Sequence, residues 1–293
     1  MQPLAGLLVV DLTRYLPGPF ASRELLRLGA RVVRLLPPGG DPLHELAPAW
    51  HEALNAEKET VELDLKADPA AGRELCAGAD VVLESFRPGV VERLGIGPAD
   101  LPDRVVYCSF TGFGPGDPRA GHDLNYQAWA GLLEDTAPAM PPVQLADLAA
   151  GLRAVAQVTA ALLERERTGR GTHLVLSLAH GAHELAAHRL GGEPFPRLLT
   201  GGLACYRIYA TADGRYLTVA ALEPKFFLRL CELLGRSELA DRQWDAEQEP
   251  LADELAEILA AKPLATWLEL FEGEDVSVGP VATLQEAALQ LGS

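Results

Sequence analysis

Three short stretches carry polar side chains where folding alone asks for none. The first is Gly121-His122-Asp123-Leu124-Asn125-Tyr126, directly after the Gly/Pro-rich run TGFGPGDPRA; it holds one of the chain's two asparagines, Asn55 being the other. The second is Asp147 in PPVQLADLAAG, and the third is Glu223 in AALEPKFF. An imidazole takes up and returns protons near neutral pH, and carboxyl groups serve as acids, bases or nucleophiles. Each stretch also has a purely architectural reading. Asp123 can cap a helix with His122 in solvent, Asp147 can be the N-cap of the apolar run behind it, and Glu223 before Pro224 can be a plain strand-to-helix junction. As a cap at a helix start, the Asp147 carboxylate would be held ionised.

Other motifs are absent or incomplete. TGFGPGDP has the glycines of a phosphate loop without its closing Gly-Lys-Ser/Thr, and no GxGxxG follows the first apolar run. There is no HExxH, GxSxG or CxxC. His180, His183 and His188 have helical spacing, but their Ala, Gly and Leu neighbours read as helix surface or core contact rather than a metal face. Cys76, Cys108, Cys205 and Cys231 sit singly in apolar runs, so reduced core thiols are expected rather than disulfides or zinc ligands.

The elements that must position these residues alternate. Leu7 to Thr13 reads as a buried strand, followed by a helix around Ala21 to Leu28 and a second strand from Arg31 to Leu36. The pattern repeats with strands at Thr60 to Leu65, Asp80 to Ser85 and Val105 to Phe110 and a helix at Pro69 to Ala77. Such alternation predicts an α/β fold with an open, mostly parallel sheet covered on both faces. A long apolar helix is expected from Leu148 to Arg167, then a strand at His173 to Leu178 and a helix at Ala182 to Leu190. Beyond a Gly/Pro-rich connection, Tyr206 to Ala210 and Tyr216 to Ala221 flank Asp213-Gly214 and predict a hairpin. Helices at Lys225 to Leu234, Leu251 to Ala260 and Pro263 to Phe271 and a strand at Val278 to Ala282 complete a smaller α+β region.

At 293 residues the chain has room for about two domains. Its 48% hydrophobic and 23% charged residues are those of a globular protein. The 41 acidic against 25 basic residues give −16, which disfavours nucleic acid and anionic membranes as partners. An anionic small molecule would need a local cluster of arginines, and arginine dominates the basic residues: the only lysines are Lys58, Lys66, Lys225 and Lys262. The start MQPLAGLLVVDL lacks a basic leader region, and no 18 uncharged apolar residues run together, so a soluble cytoplasmic protein is expected.

In unbroken order from about residue 3 to residue 285, LAGLLVVDLTRYLPGPF, LGARVVRL, LNAEKETVELDLK, ESFRPGVVERLGIGPADL, VVYCSFTGFGPGDP and ALLERERTGRG resemble the family III CoA-transferases, which include the α-methylacyl-CoA racemases. RPGVVERLGIGP and GFGPGDP are the most specific segments, and GHDLNY and ALEPKFF resemble the racemase branch. The resemblance implies a Rossmann-like large domain over residues 1–190, a linker at 191–202, a smaller α+β domain over 203–293, and an interlocked homodimer. It further implies that His122 and Asp147 are acid/base groups on opposite faces of a substrate α-carbon. Glu223, contributed across the interface, would orient and charge-balance His122. CoA contacts carry over to Arg34, to Leu63, Asp64, Leu65 and Lys66, to Ser85, Phe86 and Arg87, to Arg93, and to Gly121, Asp123, Leu124, Asn125 and Tyr126. Arg87 and Arg93 would bring the local positive charge that phosphates need.

The implied reaction is racemisation of a 2-methylacyl-CoA. A weakly acidic α-proton leaves to one base and returns on the other face from a second group, through an enolate. No metal or redox cofactor is implied; CoA enters as part of the thioester substrate. Two alternatives stay open. One is CoA transfer to a carboxylic acid with Asp147 as nucleophile, through an anhydride and an aspartyl-CoA thioester. The other is a CoA-binding member without activity. Racemisation requires His122, whereas transfer does not.

Overall fold

The computed structural model describes residues 1–192 and 197–292 and divides into two compact units, Met1–His188 and the chain from Arg189 onward. Residues 193–196 of the expected linker, and Ser293, lie outside the described residues.

The first unit runs β1 (Leu8–Asp11), α1 (Pro17–Arg27), β2 (Arg31–Leu36), α2 (Pro42–Leu46), α3 (Pro48–Asn55), β3 (Glu59–Glu62), α4 (Pro69–Gly78), β4 (Val81–Glu84), α5 (Val90–Arg93), β5 (Val106–Thr111), α6 (Asp123–Trp129), α7 (Leu145–Thr168), β6 (His173–Ser177) and α8 (Leu178–Leu185). Its six strands are all parallel, in the order β3-β2-β1-β4-β5-β6. The apolar runs at β1, β4 and β5 are buried along nearly their whole length, as strands covered on both faces must be. Alternate residues separate the two cores. Val9, Val81, Leu83, Val106 and Cys108 join the alanine-rich side of α7, while Val10, Val82 and Tyr107 pack with Cys76 of α4 and Val91 of α5. The edge strand β3 (ETVE) is exposed throughout, and the carboxylates of Glu59 and Glu62 at its two ends blunt an open edge.

The long helix starts three residues earlier than its apolar pattern predicts, at Leu145. Asp147 is therefore not the N-cap; it stands in the first turn, as the third helical residue after Gln144. By length and hydropathy α7 could cross a membrane. Here its Ala146, Ala150, Gly151, Ala154 and Val158 are buried, and it packs on α1, α6, α8, β5 and β6. Gly151 is required at that contact: a Cβ would come within 2.7 Å of the Phe20 ring and 3.0 Å of the Pro17 carbonyl oxygen.

The second unit contains β7 (Tyr206–Ala210), β8 (Tyr216–Ala220), α9 (Pro224–Leu233), α10 (Glu249–Leu259), α11 (Leu264–Phe271), β9 (Val278–Pro280) and α12 (Leu284–Leu291). The strands form an antiparallel sheet, β7-β8-β9, and the β7–β8 hairpin turns at Asp213-Gly214, where Gly214 takes φ +72°. Leu217, Val219, Phe227, Leu230, Leu255 and Trp267 lie in its core. All four cysteines are free and buried, Cys76, Cys108 and Cys231 being pushed up to about 12 by burial.

Candidate active site

In an open parallel sheet the strand order reverses at one point, and the chain leaves the carboxyl ends of the two strands there in opposite directions, opening a crevice. Here that point lies between β1 and β4. A cavity of about 540 Å³ opens there, walled by Leu12, Arg14 and Tyr15 after β1, Ser85 to Arg87 after β4, and Phe110 to Gly112 and Asp117 to His122 at and beyond the end of β5. His122, Tyr126 and Asp147 lie on the same wall system.

Each wall has a local cause. After β1, Asp11 Oδ1 accepts from the Thr13 N–H at 2.9 Å and from its hydroxyl at 2.5 Å, so the chain turns at once. Tyr15 then adopts φ +66°, a conformation costly for a residue with a Cβ, and Pro17 opens α1. After β4, the Phe86 N–H donates to Glu84 Oε2 at 2.7 Å, which turns Ser85 and Arg87 out. After β5, the Gly/Pro-rich loop carries Arg119, clamped by Asp117 and stacked over Phe113 (4.0 Å) and Trp129 (4.6 Å).

His122, not Asp123, is the N-cap residue of α6, with its backbone N–H donating to Asn125 Oδ1 at 3.1 Å. Its ring is exposed and meets Tyr15 edge-on, the centroids 5.8 Å apart. Tyr126 is held by its hydroxyl, which donates to the Gly121 carbonyl at 2.6 Å. Asp147 differs most from expectation. Burial, then the neighbouring Asp123 carboxylate, push its carboxyl up to about 7. At this helix start both effects work against the ionised form.

Of the residues expected to touch CoA, Ser85, Phe86, Arg87, Gly121 and Tyr126 line this cavity. Arg34 does not. Its guanidinium is buried in an ion pair with Asp41 at 2.6 Å and lies 3.2 Å from His51 Nε2, so both terminal nitrogens are engaged. Asp123 is buried behind the wall. Leu63 and Leu65 pack against the core beside α4, and the Asp64 carboxylate accepts from the Lys66 N–H at 2.9 Å. Lys66, Arg93, Leu124 and Asn125 are exposed. Glu223 belongs to the second unit, exposed at the entry to α9.

Arg14, Tyr15, Asp117 and Arg119 also face the cavity and were not anticipated. The signal was an arginine in each of the two proline-punctuated loops, LTRYLPGP and GPGDPRAG. Arg14 and Arg87 pair with no described residue. Among the described residues no three metal-ligating side chains gather. His180 and His183 are occupied instead by the Ser177 hydroxyl and the Ala130 carbonyl.

The model of CoA-transferase family III matches residues 4–291. An α-methylacyl-CoA racemase of Mus musculus is 35% identical over 97% of this chain and 79% of its own length. A succinyl-CoA:glutarate CoA-transferase of the same organism is 33% identical over 98% of this chain and 73% of its own. The orthorhombic crystal structure of Rv3272 from M. tuberculosis superposes with a TM-score of 0.85 at 33% identity, covering 98% of this chain and 85% of that one.

Proposed function

The chain belongs to CoA-transferase family III, and from that premise we propose that it racemises 2-methylacyl-CoA thioesters in the cavity shared by His122 and Asp147. Identity does not separate racemase from transferase, since the two kinds of relative lie at 35% and 33%. The observation that carries the reading is the half-buried Asp147 carboxyl, pushed up to about 7, lining the same cavity as the His122 imidazole. A two-base proton transfer needs one group that is protonated when the other is not, with little energy separating the two arrangements. A carboxyl pushed up to about 7 is partly protonated at neutral pH, as a group that returns a proton must be. A nucleophilic carboxylate is better served by a cation or donors that keep it ionised, and burial and Asp123 work against that here.

In this reading the CoA phosphates meet Arg87, and Tyr126 helps to wall the acyl end. His122 takes the α-proton from one face; the enolate forms; Asp147 returns a proton to the other, and the reverse reaction exchanges their roles. A second copy of the chain supplies Glu223 to orient His122.

The test is proton NMR of a single-epimer 2-methylacyl-CoA with the protein in deuterated water. Loss of the α-proton signal with growth of the other epimer is expected, and His122→Ala and Asp147→Asn should each slow it by about 10³-fold, within the usual range for acid–base groups. A covalent CoA adduct on Asp147, with transfer surviving His122→Ala, would replace this reading with CoA transfer.

A further inference from the structure

Helix α7 begins without help from its own cap: the Gln144 side chain makes no capping hydrogen bond. The N–H of the third helical residue, which a Ser, Thr or Asp at the cap normally satisfies, is that of Asp147 itself. It donates instead to Asp123 Oδ1 at 3.0 Å, a residue 24 positions earlier on α6. The other Asp123 oxygen accepts from Gln127 Nε2 at 2.5 Å, and that same nitrogen donates to the Val143 carbonyl at 3.0 Å. Asp123 is 7% exposed and Gln127 1%. One buried chain of hydrogen bonds therefore ties α6 both to the segment entering α7 and to the backbone from which the Asp147 carboxyl departs.

We propose that Asp123 is a positioning residue that acts through Asp147, its carboxylate fixing the first turn of α7 and setting the charge beside it, and that this carboxylate is not a CoA ligand. This rests on the reading of Asp147 as an acid/base group, but only for its effect on turnover. Both carboxylate oxygens of Asp123 face neutral protein donors, which leaves none turned toward the cavity for a ligand. Its negative charge is uncompensated, so it raises the cost of ionising Asp147.

The surroundings of Asp147 leave few rivals for that effect. From α6 it faces Asp123 and Tyr126, whose hydroxyl is in turn pushed up by burial and by these two carboxylates. His122, Arg14 and Tyr15 share the cavity. On α1 Arg23 is engaged by Glu24, and on α8 Glu184 is engaged by Arg153 of α7, while His180 and His183 hold Ser177 and the Ala130 carbonyl. β5 and β6 end there in the neutral Thr111 and Ser177.

Asp123→Asn removes the charge and keeps an acceptor for the Asp147 N–H, while the amide nitrogen that replaces the other oxygen faces the Gln127 Nε2 donor and gives up that one hydrogen bond. The carboxyl titration of Asp147, read by carbon-13 NMR in protein labelled at aspartate, should move down by about one unit in this variant. The limb of the exchange pH profile that Asp147 carries should move with it, and CoA affinity, read by calorimetry, should stay within twofold. Asp123→Ala, which also loses the hydrogen bond, should lower kcat by about 100-fold or more with KM little changed. An unmoved Asp147 titration in Asp123→Asn overturns the proposal. So does a tenfold loss of CoA affinity, which would return Asp123 to the CoA site. The titration needs no substrate, so it decides the proposal even where no acyl-CoA is racemised; and if Asp123→Ala does not fold, Asp123→Asn still decides it.

Discussion

Asp11, at the end of β1, and Asp123, at the start of α6, are both buried carboxylates of the first unit, 1% and 7% exposed. Asp11 takes hydrogen bonds from Thr13 and Ser22 and stands 3.8 Å from the Lys58 ammonium, which is itself fixed by the Pro19 carbonyl and Asn55. Asp123 takes its hydrogen bonds from an amide side chain and a backbone N–H, and its charged neighbour is another carboxyl group. The first cluster pairs its carboxylate with a cation and holds a loop in shape, although burial lowers the Lys58 ammonium to about 8. The second is unbalanced and displaces a proton equilibrium. An opposite charge beside a buried carboxylate builds architecture; a like charge, tolerated where both Asp123 oxygens are hydrogen-bonded, raises its neighbour's carboxyl toward neutrality.

If that contrast holds, removing the cation from the balanced cluster is costly. Lys58→Met leaves Asp11 buried with no compensating charge and should lose about 3–5 kcal/mol of stability in urea unfolding at pH 7. The Asp11→Asn/Lys58→Met double variant should recover most of that loss, since neither charge then remains. A loss below about 1 kcal/mol in the single variant would show that solvent already compensates Asp11, and the contrast would fail.

The two clusters were unequally legible in the residue order. Strands with continuous apolar runs, the βα alternation and the Asp-Gly hairpin follow local rules and stand where those rules place them. His122 and Asp147 stood out because histidine and aspartate are unusual beside such apolar and glycine-rich runs, and both line the cavity. The relation between Asp123 and Asp147 was not legible, because it spans 24 residues and two elements. The same contact explains the misplaced helix start. A cap supplied from α6 lets α7 begin at Leu145 with no capping residue of its own, so the local rule attached the cap to Asp147. Arg34 was misread for a similar reason: its partner Asp41 approaches only after β2 has turned into α2. The short helices α2, α3 and α6 lack enough turns for a periodic signal.

A sharper measurement of the unbalanced cluster uses stability rather than activity. The folded Asp147 carboxyl titrates at about 7 and the unfolded one near 3.9, so the folded state binds more protons in between. The stability this group contributes is fully present below about pH 4 and is lost as pH rises through 7. Asp147→Asn removes that titration. The variant should be more stable than the parent at pH 8 by about 1–3 kcal/mol, with the gain shrinking toward pH 5. A pH-independent difference would mean that Asp147 ionises freely and that Asp123 imposes nothing on it.

The smallest effect is expected where the products of the two clusters meet. The balanced cluster shapes the loop that presents Tyr15, the other system presents His122, and the two rings touch edge-on. Tyr15 sits at φ +66°, so the loop imposes a backbone that glycine accepts and a residue with a Cβ resists. Tyr15→Gly and Tyr15→Ala both remove the ring, so their difference isolates the backbone. Glycine's gain at positive φ outweighs its extra entropy loss on folding, and Tyr15→Gly should be the more stable by about 0.5–1 kcal/mol in urea unfolding. Both should slow α-proton exchange to a similar degree, through the lost contact with His122. If Tyr15→Ala is as stable as Tyr15→Gly, the loop yields, and Asp11 with its hydroxyl donors does not dictate the conformation that brings Tyr15 to His122.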